Sequence, residues 1–145
     1  MARTHNIKEF NAEAARFAAT LKKGQAATIV ALLGELGAGK TSFTQAIAKY
    51  FGIDETLASP TFVIEKIYEA KSGPFTRLIH IDAYRLEKAR DLEVLGWDEI
   101  VADAQNVILL EWPEKVPGLV PKGAKTVSIT LLEGETREFT YGEKN

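Results

Sequence analysis

The segment that most limits what this chain can fold into is Gly34-Glu35-Leu36-Gly37-Ala38-Gly39-Lys40-Thr41. It matches G-x-x-x-x-G-K-[ST] in full, and ordinary residue usage produces that match by chance in about 0.5% of chains of this length. Its flanks agree with it. The preceding run Thr28–Leu33 is continuously apolar and β-branched at its start, as a strand buried on both faces should be. In residues 40–51, Phe43, Ile47, Ala48 and Phe51 fall on one helical face, and Gly52 is placed to end the helix. A strand, a glycine-rich turn and a helix in this order build a phosphate cradle. The glycines let the backbone approach an anion without a Cβ in the way. The loop N–H groups converge on it, and the helix adds its positive end. Lys40 is placed to reach β- and γ-phosphates, and the Thr41 hydroxyl to ligate Mg²⁺.

The rest of the chain supplies a sheet for that loop. Residues 9–21 read as an amphipathic helix through Phe10, Ala14, Phe17, Ala18 and Leu21, with Asn11 as an alternative N-cap. Residues 61–68 and 77–81 read as strands about a Lys71-Ser72-Gly73-Pro74 turn. Residues 87–101 read as helix interrupted at Gly96-Trp97, and residues 107–110 as a second fully apolar strand. Glu111-Trp112-Pro113 and the Pro117/Pro121 stretch read as loop, and residues 125–132 and 136–141 as a hairpin. Apolar strands alternating with helices predict an α/β, P-loop NTPase-like fold: a mainly parallel central sheet flanked by helices, with antiparallel edge hairpins. Residues 1–145 read as one such domain.

Composition narrows the functional classes. Without cysteine there is no thiolate nucleophile, disulfide framework or Cys-ligated zinc. A formal net charge of −2 argues against a chain that grips nucleic acid or an anionic membrane unaided. No stretch is apolar enough to span a bilayer, and the N-terminal residues lack the apolar core of a secretion signal, so a cytoplasmic location is expected.

A phosphate loop also needs a carboxylate at a neighbouring strand end to hold a metal or its water. Asp82, after Leu78-Ile79-His80-Ile81, and Glu111, after Val107-Ile108-Leu109-Leu110, both stand at carboxyl ends of strands, where open α/β sheets bind ligands. Each alone also reads as a solvated acid; beside the loop, at least one is expected to face the metal. The chain has no Asn-Lys-x-Asp guanine-reading element, which favours ATP. Six arginines and no lid segment make a small-molecule kinase the second reading. Ser59-Pro60-Thr61 reads as a proline turn entering a strand, or as a switch loop whose Thr61 senses the γ-phosphate. His80, between two isoleucines, reads as a hydrogen-bonded structural histidine rather than a metal ligand. Glu87, Asp91, Glu93, Asp98, Glu99 and Asp103 against Lys88 and Arg90 read as a solvated acidic face, with a basic partner as the alternative.

Together these segments resemble the bacterial TsaE family, the P-loop ATPases of tRNA threonylcarbamoyladenosine (t6A) biosynthesis. The resemblance rests on the phosphate loop, Ser59-Pro60-Thr61-Phe62, His80-Ile81-Asp82-Ala83-Tyr84-Arg85-Leu86, Leu95-Gly96 and Glu111-Trp112-Pro113-Glu114, in that order. The His-x-Asp-x-Tyr-Arg and Glu-Trp-Pro segments are far more specific than the loop. The resemblance implies ATP and Mg²⁺ as cofactors, with Glu35, Gly37, Ala38, Gly39, Lys40, Thr41 and Ser42 cradling the phosphates. It implies Thr41 and Glu111 as metal ligands, and Asp82 beside the γ-phosphate, orienting water or the metal's shell. It places Thr61 in a switch-like loop and Trp112 near the nucleotide. Ser42 stands where the family commonly has a second threonine, Ala83 where a larger apolar residue is usual, and Asn11 where a threonine often sits near the adenine. The implied activity is a weak, partner-stimulated ATPase acting on the t6A synthase subunits, a TsaB/TsaD-like pair, with tRNA engaged only through them and no membrane involved. A nucleotide-gated interaction module is a further alternative.

Overall fold

The computed structural model describes residues 2–35, 37–55 and 65–145. Among them the chain runs β1 (Ala2–Thr4), α1 (Ile7–Ala19), β2 (Thr28–Leu33), α2 (Lys40–Tyr50), β3 (Glu65–Glu69), β4 (Arg77–Asp82), α3 (Ala89–Glu93), α4 (Trp97–Ala102), β5 (Asn106–Glu111), β6 (Lys125–Leu131) and β7 (Arg137–Glu143). The strands form one sheet in the order β1-β7-β6-β2-β5-β4-β3. Its centre is parallel, with β2 between β5 and β6 and β4 beside β5. The β3–β4 and β6–β7 hairpins are antiparallel, and β1 extends the second of them.

Period-two alternation assigns the central strands to two cores. Val30, Leu32, Leu78, Val107 and Leu109 pack with α1 and α2. Ile29, Ile79, Ile81, Ile108 and Leu110 face the other way, with Leu92, Trp97, Val116 and Val120. Covering on both faces is why these strands read as unbroken apolar runs rather than as alternating ones. The first core is pinned by aromatics: Phe10, Phe43 and Phe139 lie with ring centroids 5.5–6.1 Å apart, and Phe17 stacks on Tyr141 at 5.2 Å.

Several boundaries differ from the sequence expectation. The first helix starts at Ile7, and its N-cap is Asn6, whose side chain accepts from the Glu9 N–H at 2.8 Å. Asn11 lies inside the helix and caps nothing. Glu9 reaches back to the N–H of His5, the residue before the cap, at 2.8 Å, so a donor on each side of the helix start is satisfied. Strand β1 is too short to carry a periodic signal. Residues 87–101 form two short helices separated by Gly96 in the left-handed region (φ 88°), and Glu87 and Lys88 precede the first of them. Strand β5 extends through Glu111, and the following loop includes a 3₁₀ turn over Pro113–Lys115. Among the described residues, no helix is long and apolar enough to cross a membrane. Leu36, Ser59-Pro60-Thr61-Phe62 and the first half of the expected strand over 61–68 lie outside the described residues.

Candidate functional site at the carboxyl edge of the sheet

The parallel strands β2, β4 and β5 bring their carboxyl ends to one edge. Strand β2 delivers Gly34, β4 delivers Asp82 and β5 delivers Glu111. Odd positions of β5 and even positions of β4 face α2, so His80, Asp82 and Glu111 share the face against which the loop's helix packs. Asp82 pairs directly with Glu111 across the two strands. Two carboxylates opposite each other repel. A cation is therefore needed here, and Lys40 supplies one.

Within the loop, Gly34, Gly37 and Gly39 have φ of 148°, 83° and 113°. At Gly34 the constraint is steric as well as conformational: an added Cβ would lie 2.6 Å from the Ile129 carbonyl oxygen, which is backbone. At Gly37 a Cβ would meet nothing within 4 Å among the described residues. Gly39 is the N-cap of α2, and its carbonyl accepts from the Phe43 N–H at 2.8 Å.

Lys40 is buried, and its Nζ donates to the Gly34 carbonyl at 2.6 Å, tying the helix start to the strand end. The same ammonium lies 3.5 Å from the centre of the Trp112 ring. Burial lowers its pKa, opposed by the charges of Glu111, Glu114 and Asp82. Trp112 holds its position at φ 60°, ψ 54°, the one non-glycine residue with positive φ among those described. That conformation costs about 1–3 kcal/mol and marks functional sites more often than others. The Trp112 ring also packs on Tyr84 at 5.0 Å. Asp82 accepts from the Tyr84 N–H at 3.0 Å, which turns the chain sharply after β4. His80 is fully buried, and its Nε2 lies 2.5 Å from Glu111 Oε2, as a hydrogen-bonded core histidine should.

The structure thus brings together Lys40, Asp82, Glu111 and Trp112, and puts the loop residues Glu35, Gly37, Ala38, Gly39, Thr41 and Ser42 at the same edge. Thr41 is half-buried in the first turn of α2. Among the described residues, no group of three or more His, Cys, Asp or Glu side chains is arranged to hold a metal by itself. Hard oxygen donors few in number suit Mg²⁺, which keeps several waters and takes phosphate oxygens as ligands. The donor set of Thr41, Asp82 and Glu111 fits that ion.

Arg137 joins this edge without any local sequence signal. Its Nε donates to the Ala38 carbonyl at 2.9 Å, from a strand 99 residues downstream. It arrives because β7 pairs with β6 and β6 with β2. Arg137 lines a hollow with Asn6, Phe10, Gly39, Ser42 and Glu135. Ser42 also borders a second hollow, with Asn11, Ala15, Gln45 and Tyr50, between α1 and α2. The acidic stretch is only partly a solvated face. Asp91 accepts from the Glu87 and Lys88 N–H groups and Asp103 pairs with Arg77, leaving Glu87, Glu93, Asp98 and Glu99 exposed.

Fold and loop define a P-loop NTPase-like α/β protein. The crystal structure of YdiB from Bacillus subtilis superposes with a TM-score of 0.78 at 32% sequence identity, covering 99% of this chain and 84% of that one. The family described as threonylcarbamoyl adenosine biosynthesis protein TsaE matches residues 4–139. The chain is 38% identical over 139 residues to the tRNA threonylcarbamoyladenosine biosynthesis protein TsaE of Bacillus subtilis strain 168, covering 96% of this chain and 82% of that protein. It is 38% identical over 122 residues to the TsaE of Rickettsia bellii, covering 83% and 79%. The chain belongs to the TsaE family of t6A biosynthesis proteins.

Proposed function

We propose that the chain binds Mg-ATP in the Gly34–Thr41 cradle and hydrolyses it to ADP and phosphate, as the accessory ATPase of tRNA t6A modification. The observation that carries this reading is the pairing of Asp82 with Glu111 at the strand ends, with the Lys40 ammonium facing both. Two acids and a lysine so arranged are suited to a polyphosphate with its metal. Thr41 and Glu111 would hold Mg²⁺, which would supply neutralising charge to the phosphates. Lys40 has three donors, so it can keep its bond to Gly34 while binding phosphate oxygens. The Trp112 ring, 3.5 Å from the ammonium, adds a cation–π contact on one side of it. Asp82, oriented by its bond from the Tyr84 N–H, holds the attacking water beside the γ-phosphate.

The partners are the t6A synthase subunits, a TsaB/TsaD-like pair, and tRNA is engaged through them. An overall acidic chain whose exposed residues include Glu87, Glu93, Asp98 and Glu99 is poorly built to grip tRNA directly. Phosphate release from Mg-ATP, measured with the chain alone and with the partner pair, tests the reading. Slow release that the pair stimulates, and that Lys40→Ala abolishes, is expected. Unchanged turnover in Lys40→Ala overturns the site, and appearance of a phosphorylated small molecule in place of free phosphate overturns the ATPase in favour of a kinase.

A further inference from the structure

We infer that His80 is a positioning residue for Glu111: its Nε2–H fixes one carboxylate oxygen, Oε2, so that Oε1 is the oxygen presented to Mg²⁺. The inference rests on the proposed Mg-ATP site. His80 occupies a slot that packing alone would give to an aliphatic residue. Its neighbours on that face are Leu78, two residues back in β4, and Leu109, its cross-strand partner in β5. Both are fully buried, as is His80 itself. From there the ring reaches diagonally to Glu111, which is 3% exposed, at 2.5 Å. A carboxylate that ligates a metal accepts, so in this role the ring nitrogen of the bond is the donor.

The other ring nitrogen, Nδ1, is enclosed and has no hydrogen-bond partner among the described residues. Burying an unpaired polar atom is unfavourable, and in native structures such an atom calls for a specific reason. The single bond to Glu111 is that reason. A carboxylate whose second oxygen is fixed has one orientation to offer a metal, and partners that orient metal ligands typically change affinity 10–100-fold when removed.

The test compares His80→Asn with His80→Gln. A glutamine amide nitrogen reaches about as far as Nε2, whereas asparagine stops near the position of Nδ1. ATP affinity is measured by calorimetry across a Mg²⁺ series and in chelator, with thermal midpoints taken without nucleotide. The half-saturating Mg²⁺ concentration should rise about 10–100-fold in His80→Asn. It should return to within about threefold of wild type in His80→Gln, and affinity in chelator should be the same in all three proteins. A purely structural histidine would move the midpoints and leave the Mg²⁺ response alone; that result overturns the role. Wild type that binds ATP without regard to Mg²⁺ overturns the metal reading itself, and the positioning role with it. Should His80→Asn fail to fold, the wild-type chain decides by nitrogen NMR, since it has only two histidines. The His80 Nε2 signal should shift when Mg²⁺ is added to the ATP complex while that of exposed His5 does not, and an unmoved Nε2 signal overturns the inference.

Discussion

Strands β4 and β5 lie side by side for six residues and carry polar groups at both ends, arranged in opposite ways. At the amino end Arg77 faces Asn106. Arg77 Nε donates to Asn106 Oδ1 at 2.8 Å, and Nη2 pairs with Asp103 at 2.5 Å. Asn106 Nδ2 in turn donates to the Ile100 carbonyl at 2.9 Å. Donors meet acceptors and charges meet their opposites. About 17 Å away along the same strands, Asp82 faces Glu111, like against like. That end also holds a desolvated lysine, a tryptophan in the left-handed region and an imidazole nitrogen without a partner among the described residues. Four residues of strand thus separate a cluster that closes the fold from one that strains it. Unfavourable features gathered at one edge are expected where a ligand completes the balance.

Substitutions at the two ends should therefore separate activity from stability. The largest effect belongs to the carboxyl end: Asp82→Asn and Glu111→Gln should each lower ATP turnover by about 10²-fold or more. The thermal midpoint of Asp82→Asn should be no lower than wild type, because it relieves a carboxylate pair and leaves an oxygen to accept from the Tyr84 N–H. A midpoint that drops with turnover intact would erase the distinction. The next effect belongs to the amino end. Asn106→Ala leaves the Ile100 carbonyl and the Arg77 guanidinium short of a partner and should cost about 1–3 kcal/mol in denaturant unfolding. Turnover per folded molecule should stay at the wild-type value.

The smallest effect sharpens the comparison with a third cluster, on α1. Arg16 donates to Glu13 at 2.6 and 3.0 Å, and the Tyr141 hydroxyl also bonds to it. These bonds, the one from Arg16 foremost, hold the Glu13 carboxyl below its ordinary value of 4.5. A lowered acid contributes stability that is complete above the unfolded-state value and is lost as pH falls through the folded-state value. Glu13→Gln should thus cost under about 1 kcal/mol at neutral pH. The gap to wild type should close below pH 4.5; a gap that widens there would show that the cluster does not behave as a complementary one.

How far the chain reveals itself before folding follows the same division. β2 matches its sequence reading to the residue, because an apolar run ending in a glycine-rich turn leaves little freedom. The ends of β4 and β5 are equally legible, since a charge closing an apolar run marks a strand terminus. Arg137 is not legible: only the pairing of β7 on β6 and β6 on β2 brings it to Ala38. The Arg77–Asp103–Asn106 cluster is hidden for a similar reason, as it joins the start of β4 to the turn before β5. The bond from His80 to Glu111 requires the register of two strands, although the burial of His80 between isoleucines is evident locally. The N-cap at Asn6 carries its own mark, an asparagine followed three residues later by Glu9.

The claim that the strained carboxyl edge is a nucleotide site is tested most directly by equilibrium titration of the purified chain with Mg-ATP, wild type beside Lys40→Ala. Wild type should bind, and the variant should bind at least about 100-fold more weakly while remaining folded. Equal affinity in the two proteins, or no binding to wild type, would contradict the account.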